Sequence, residues 1–155
     1  MSDLVIISDT ATECQKPFYN YASDNDVSTV QTSATLHVPM LSSTTRSETD
    51  YTGILVKDKV CFDSDTCVND YEFFVATTSS ACNNLLGLGP SQDSSRPNLI
   101  NALVNDKLVD NKVTLYLNWD ESGQRLDVGT SNKDLIHGNY SYHTVKILCK
   151  YQGFM

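Results

Sequence analysis

Apolar and polar positions alternate along this chain mainly with the period of strands. Leu4-Val-Ile-Ile7 is an unbroken run of β-formers that stops at Ser8, Asp9, Thr10 and the small Ala11, which predicts a buried strand ending in a tight polar turn. Phe18 to Asp26 reads as a surface loop with aromatic anchors. Val27 to Met40 carries short β patterns around Val30 and Leu36-His37-Val38, where Pro39 limits pairing. Leu41 to Asp50, nearly all Ser, Thr and charge, reads as a loop. Tyr51 to Val60 reads as a bent strand pair, with Gly53 permitting the bend. Cys61 to Cys67 turns the chain around, and the aromatic-rich Val68 to Ala76 is the next strand. Asn84 to Pro90 joins a short apolar strand to closely spaced glycines, which let backbones approach tightly. Pro97 opens the one helix, with Leu99, Ile100, Leu103, Val104 and Leu108 on one face. Val113 to Leu117 and Arg125 to Gly129 pair about a turn at Asp120 to Gly123, and Tyr140 to Leu148 is the last strand pattern.

These elements make one all-β domain spanning residues 1–155 with one short helix, a length sufficient to bury a core unaided. The net charge of −8, from 19 acidic against 11 basic residues, argues against binding nucleic acid or an anionic membrane surface. No apolar run is long enough to span a bilayer, and Met1 to Ile7 lacks the length and basic start of a signal peptide.

The five cysteines narrow the compartment. Cys61 and Cys67 flank a polar turn, the spacing of a disulfide at a hairpin tip. A zinc knuckle would need a C-x2-C half-site and nearby His, and has neither. Cys14 with Cys82 is a second candidate pair, leaving Cys149 as an odd thiol or an intermolecular link. Disulfides imply an extracellular or lumenal setting, and the glycosylation sequon Asn139-Tyr-Ser agrees.

The residue that asks for chemistry is Asp9. A carboxylate at the end of a buried strand is costly unless donors hold it, and Ser8, Thr10 and Thr12 are at hand. The plain reading is an Asp capping a turn. Leu85-Leu-Gly-Leu-Gly89 lacks the spacing of a phosphate loop, and no G-x-S-x-G elbow supports serine hydrolysis. His37, His137 and His143 share no metal-ligand spacing, so neither a metal nor another cofactor is expected. Trp119 beside Asp120, with Tyr140 to Tyr142, could stack on sugars in a lectin-like domain, although a lone Trp at a strand end ordinarily belongs to the core or its rim.

In their order along the chain these stretches resemble the N-terminal lobe of pepsin-like aspartic proteases. Asp9-Thr-Ala-Thr12 is similar to that family's D-T-G-S turn, and Thr52-Gly-Ile-Leu55 with Asp58 and Val60 to its strand after the flap. Leu85-Leu-Gly87 resembles the hydrophobic-hydrophobic-Gly segment that closes a psi-shaped loop around the turn, and Pro97 to Leu108, Val113 to Leu117 and Leu126 to Gly129 follow the family's helix, strand and hairpin. The resemblance implies a β-barrel or sandwich lobe with Asp9, Thr10 and Thr12 at the catalytic turn. It also implies strands upstream of Leu4, which a neighbouring chain would supply if this chain does not.

The departures bear on function. Pepsin-like hydrolysis needs two carboxyl groups sharing a proton and a water, and these 155 residues bring one candidate, Asp9. Ala11 stands where the family has Gly, and its Cβ is expected to crowd the turn. Arg46 falls at the position of the flap Tyr, its flanking glycines become Ser47, Glu48 and Thr49, and Asn83-Asn84 replaces Asp-Gly. The resulting expectation is a proteolytically inactive lobe serving as a structural or protein-interaction subunit, with sheet edges open to a neighbour. The alternative is an aspartic endopeptidase half-site, active when a second lobe or second copy supplies the partner Asp, with Asp9 alternating between base and acid.

Overall fold

A computed structural model of the chain describes residues 4–8, 10–11, 14, 27–41, 46–79, 82–89, 96–117, 123–131, 134, 138, 141 and 143–144. Strands dominate: β1 Leu4–Ile7, β2 Ser28–Leu41, β3 Arg46–Cys61, β4 Cys67–Ser79, β5 Leu85–Leu86, then helix α1 Leu99–Asn105, β6 Val113–Tyr116 and β7 Arg125–Val128. The first five form one sheet in the order β2-β3-β4-β1-β5, and β6 pairs with β7 in a separate ribbon. Among the described residues the sheet stays open, so the mostly-β expectation holds and the barrel does not. Its two edges, the long β2 and the two-residue β5, do not meet.

The unbroken apolar run of β1 follows from its place inside the sheet. β1 runs parallel to β4, with Val5 opposite Phe74 and Ile7 opposite Ala76, and antiparallel to β5, with Leu4 opposite Leu86. Both faces are covered, which is why polar alternation is missing. Val5 and Ile7 join Ala11, Cys14, Val38, Tyr51, Phe74 and Ala76 on one face. Leu4 and Ile6 pack on the other with Val56, Phe73, Val75 and the helix residues Leu99, Ala102 and Leu103.

Helix α1 starts two residues after Pro97. Asn98 is the N-cap: its Oδ1 accepts the Asn101 N–H at 2.7 Å, while its Nδ2 donates to the Gly89 carbonyl at 2.7 Å. Leu99, Ile100 and Leu103 are buried as the periodicity predicts. Leu108 leaves the apolar face, because the helix ends at Asn105 and Lys107 turns with a φ of 60°.

Three other expectations change. Leu41 and Arg46 to Asp50 are strand, not loop: β2 and β3 form one long hairpin in which Val38 pairs with Thr49 and Leu41 with Arg46. Pro39 is tolerated because β2 is an edge, where a missing N–H need not break a ladder. β3 is a single strand, not a pair; its ladder to β4 shifts register between Thr52 and Gly53, where the bend was expected, and a Cβ built on Gly53 would lie 1.9 Å from the Val75 carbonyl oxygen. Of the last strand pattern, Ser141, His143 and Thr144 are described and lie outside any strand; Tyr140, Tyr142 and residues 145–148 fall outside the described residues.

The hairpin tip between β3 and β4 is closed by the Cys61–Cys67 disulfide, as its spacing predicts. Inside it the Asp63 carboxylate accepts the N–H groups of Asp65 and Thr66 at 2.9 and 2.7 Å, and those bonds hold its carboxyl below the usual carboxylate range. The tip therefore gains from the ionised form above the ordinary Asp pKa and loses that gain as pH falls through the lowered one.

Gly53→Ala is expected to cost about 3 kcal/mol or more in chemical denaturation, because backbone of β4 must move. Gly123→Ala, where φ is 67° but the space is open, should cost only about 1 kcal/mol.

Candidate functional site

The site is the turn into which β1 runs. Ser8 continues the strand ladder by donating its N–H to the Ala76 carbonyl at 2.8 Å, and it is almost fully buried. Its Oγ lies 2.8 Å from Thr10 Oγ1 and accepts the Thr10 N–H at 3.1 Å. The chain then folds back twice: Ala11 N–H donates to the Ser8 carbonyl at 3.2 Å, and Cys14 N–H to the Ala11 carbonyl at 3.0 Å. These bonds account for the Ser-x-Thr-Ala spacing: a small hydroxyl at the strand end ties down the backbone two residues later.

Two further devices brace this turn. Asn84 sits just before β5, and its side-chain oxygen accepts the Ile7 N–H at 2.8 Å, doing for β1 what a longer β5 would do. The Cys14–Cys82 disulfide ties the segment after the turn to the segment leading into β5. Residues far apart in sequence thus close a frame around the end of β1.

Of the residues expected to carry chemistry, Asp9 and Thr12 lie outside the described residues, as do Asn139 and Cys149. Thr10 is exposed at the turn, and its hydroxyl is paired with that of Ser8. Ala11 is 2 % exposed and its methyl belongs to the core. Arg46 begins β3 opposite Leu41, at the end of the β2–β3 hairpin. Among the described residues, those that build the turn, Ser8, Thr10, Ala11, Cys14 and Asn84, bring hydroxyls, an amide and a disulfide.

Other polar groups do not gather there. His37 Nδ1 lies 2.6 Å from Asp50 Oδ1, a cross-strand pair on the solvent side of the hairpin. Arg96 Nε donates to Glu72 Oε1 at 2.8 Å, joining β4 to the segment before α1. Among the described residues no group of His, Cys, Asp and Glu has the arrangement of a metal site. Sequence reading missed the role of Asn84. Its signal was an amide side chain directly before a strand too short to satisfy its neighbour.

Compared with protein-family models and with curated proteins, the chain matches none. The two disulfides fit maturation in an oxidising setting, extracellular or lumenal. Among the described residues no helix is long and apolar enough to cross a membrane.

Replacing Asn84 with Ala leaves a buried strand N–H without its acceptor and should cost about 1–3 kcal/mol, read from denaturant midpoints. The disulfides should differ in weight. Loop-closure entropy gives about 4 kcal/mol for Cys14–Cys82, which spans 68 residues, and about 2 kcal/mol for Cys61–Cys67, which spans 6. Paired Cys→Ala variants compared by thermal and chemical unfolding check that order.

Proposed function

We propose that this chain is a pepsin-like lobe without a working carboxyl pair, acting as a structural or protein-interaction subunit of a larger assembly in the extracellular or lumenal space. The observation that carries the reading is the make-up of the turn. A hydrolytic half-site must hold a carboxyl group ready to share a proton with a mate, because two such groups in contact cannot both ionise. Here the turn is braced by the Ser8–Thr10 hydroxyl pair, the Asn84 amide and the Cys14–Cys82 bond, and its fourth residue is buried as core. Stability of this kind depends on hydrophobic burial and backbone satisfaction, not on catalysis. A lineage can therefore keep the scaffold while its chemistry lapses.

The resemblance supports the same reading from the hairpin side. The β2–β3 hairpin corresponds in order to the family's flap, and Arg46 stands at its end in place of Tyr, next to Ser47, Glu48 and Thr49 in place of glycines. The parallel pairing of β1 with β4 and its antiparallel pairing with β5 suit a chain folded around a catalytic-type turn.

Incubation with an unfolded protein substrate from about pH 3 to pH 6, the range in which shared-proton carboxyl pairs work, should give no cleavage above that of an Asp9→Asn variant. Pepstatin-sensitive cleavage that disappears in Asp9→Asn would instead establish the half-site reading, with a second lobe or a second copy supplying the partner Asp.

A further inference from the structure

The two disulfides sit in opposite surroundings. Cys14 belongs to the core cluster with Val5, Ile7 and Phe74 and is only 9 % exposed, although its partner Cys82 is exposed. Cys61 is exposed at the far end of the β3–β4 hairpin, and exposed residues 62–65 separate it from a half-buried Cys67. Thiol–disulfide exchange depends on which sulfur a thiolate can reach and on how readily the other one leaves. Attack at Cys82 would expel the Cys14 sulfur as an anion into the apolar core, where it is poorly solvated. Attack at Cys61 expels the Cys67 sulfur at the solvent-facing tip.

The tip is also held by more than its bridge. The Phe62 N–H donates to the Thr66 carbonyl at 3.0 Å, and the Asp63 carboxylate accepts the N–H groups of Asp65 and Thr66. Immediately behind the bridge Val60 pairs with Val68, and both pack on the cluster that contains Val56, Tyr71 and Leu103. Cys61 and Cys67 face each other directly in the ladder, so these bonds keep the two sulfurs together after the covalent bond opens. Cys67 Sγ lies 3.8 Å from the Asp63 carbonyl oxygen, an acceptor in place for the S–H that reduction creates. The core bridge, by contrast, closes 68 residues of chain, against 6 at the tip.

We infer that Cys61–Cys67 is an exchangeable bridge, opened by a dithiol reductant in the folded chain to leave two neighbouring thiols at the hairpin tip while Cys14–Cys82 stays closed. One thiolate of the reductant attacks Cys61 Sγ and forms a mixed disulfide. The protein S–S bond breaks with its electron pair on Cys67 Sγ, which takes up a proton. The reductant's second thiol, deprotonated, then attacks its own sulfur in the mixed disulfide and releases Cys61 as a thiolate, which is protonated in turn. Two electrons and two protons have passed to the protein, and the reductant leaves as its own disulfide. The inference is independent of the state of Asp9.

The test equilibrates the native full-length chain in dithiothreitol buffers of increasing reduced-to-oxidised ratio, traps free thiols by alkylation, and reads each cysteine, Cys149 included, by peptide mass mapping. Cys61 and Cys67 should be alkylated together at a ratio about fortyfold lower than Cys14 and Cys82 require, the factor that loop-closure entropy gives for spans of 6 and 68 residues. The Val5 to Ile7 amides should keep their hydrogen-exchange protection in the tip-reduced form, and oxidised dithiothreitol should restore the bridge. Asp63→Ala, which removes the acceptor that orders the turn, should shift the tip toward the dithiol and leave the midpoint of Cys14–Cys82 in place. Three results would overturn the inference: Cys14–Cys82 opening first or at the same ratio, the tip opening only as the β1 amides lose protection, or a tip midpoint unmoved in Asp63→Ala.

Discussion

A strand bonded on both edges, with one face buried and the other partly covered, has little solvent to fall back on, and β1 is such a strand. Every N–H and C=O it carries must find a partner inside the protein, or folding loses the cost of an orphaned polar group. β4 satisfies one edge. On the other, β5 is two residues long, and the Asn84 side chain takes the Ile7 N–H where the short strand ends. The exit from β1 is constrained as tightly: Ser8 remains in the ladder, its hydroxyl engages Thr10, and Ala11 turns into the core. The Cys14–Cys82 bond then ties the segment that follows this turn to the one leading into β5.

That constraint separates architecture from chemistry. Among the described residues, the turn is held by packing, hydrogen bonds and a covalent bridge.

Much of the fold was legible because the decisive signals were local. The Leu4–Ile7 run announced a strand inside the sheet, the six-residue spacing of Cys61 and Cys67 announced a bridged tip, and the Leu99, Ile100, Leu103 stripe announced the helix face. The misreadings arose where long-range pairing overrode composition. The Ser/Thr-rich segment after Leu41 reads as loop by propensity, yet β2 recruits Arg46 to Asp50 into a hairpin. Gly53 reads as a bend, and the ladder does shift there, but the close approach of the β4 backbone is a further need that no local pattern encodes. Asn84 looks like a turn residue until the brevity of β5 gives its side chain a ladder position to fill. At the site itself, Ser8, Thr10 and Ala11 were recognisable as a strand-end turn. The burial of the Ala11 methyl was not, because it depends on Val38 and Tyr51 from the distant hairpin.

The central point of the proposal is that Asp9 meets no second carboxyl group. Carboxyl groups that share a proton lose their protons in two coupled steps, whereas a solitary one shows a single step. Carbon-13 NMR of carboxyl-labelled aspartate, with the Asp9 signal assigned by its loss in Asp9→Asn, follows that proton directly across the acid range at the protein concentration of the proposed assembly. A single-step curve independent of protein concentration is the predicted result. A two-step curve, or one that becomes two-step as the protein is concentrated, would reveal a second carboxyl group against Asp9 and contradict the claim.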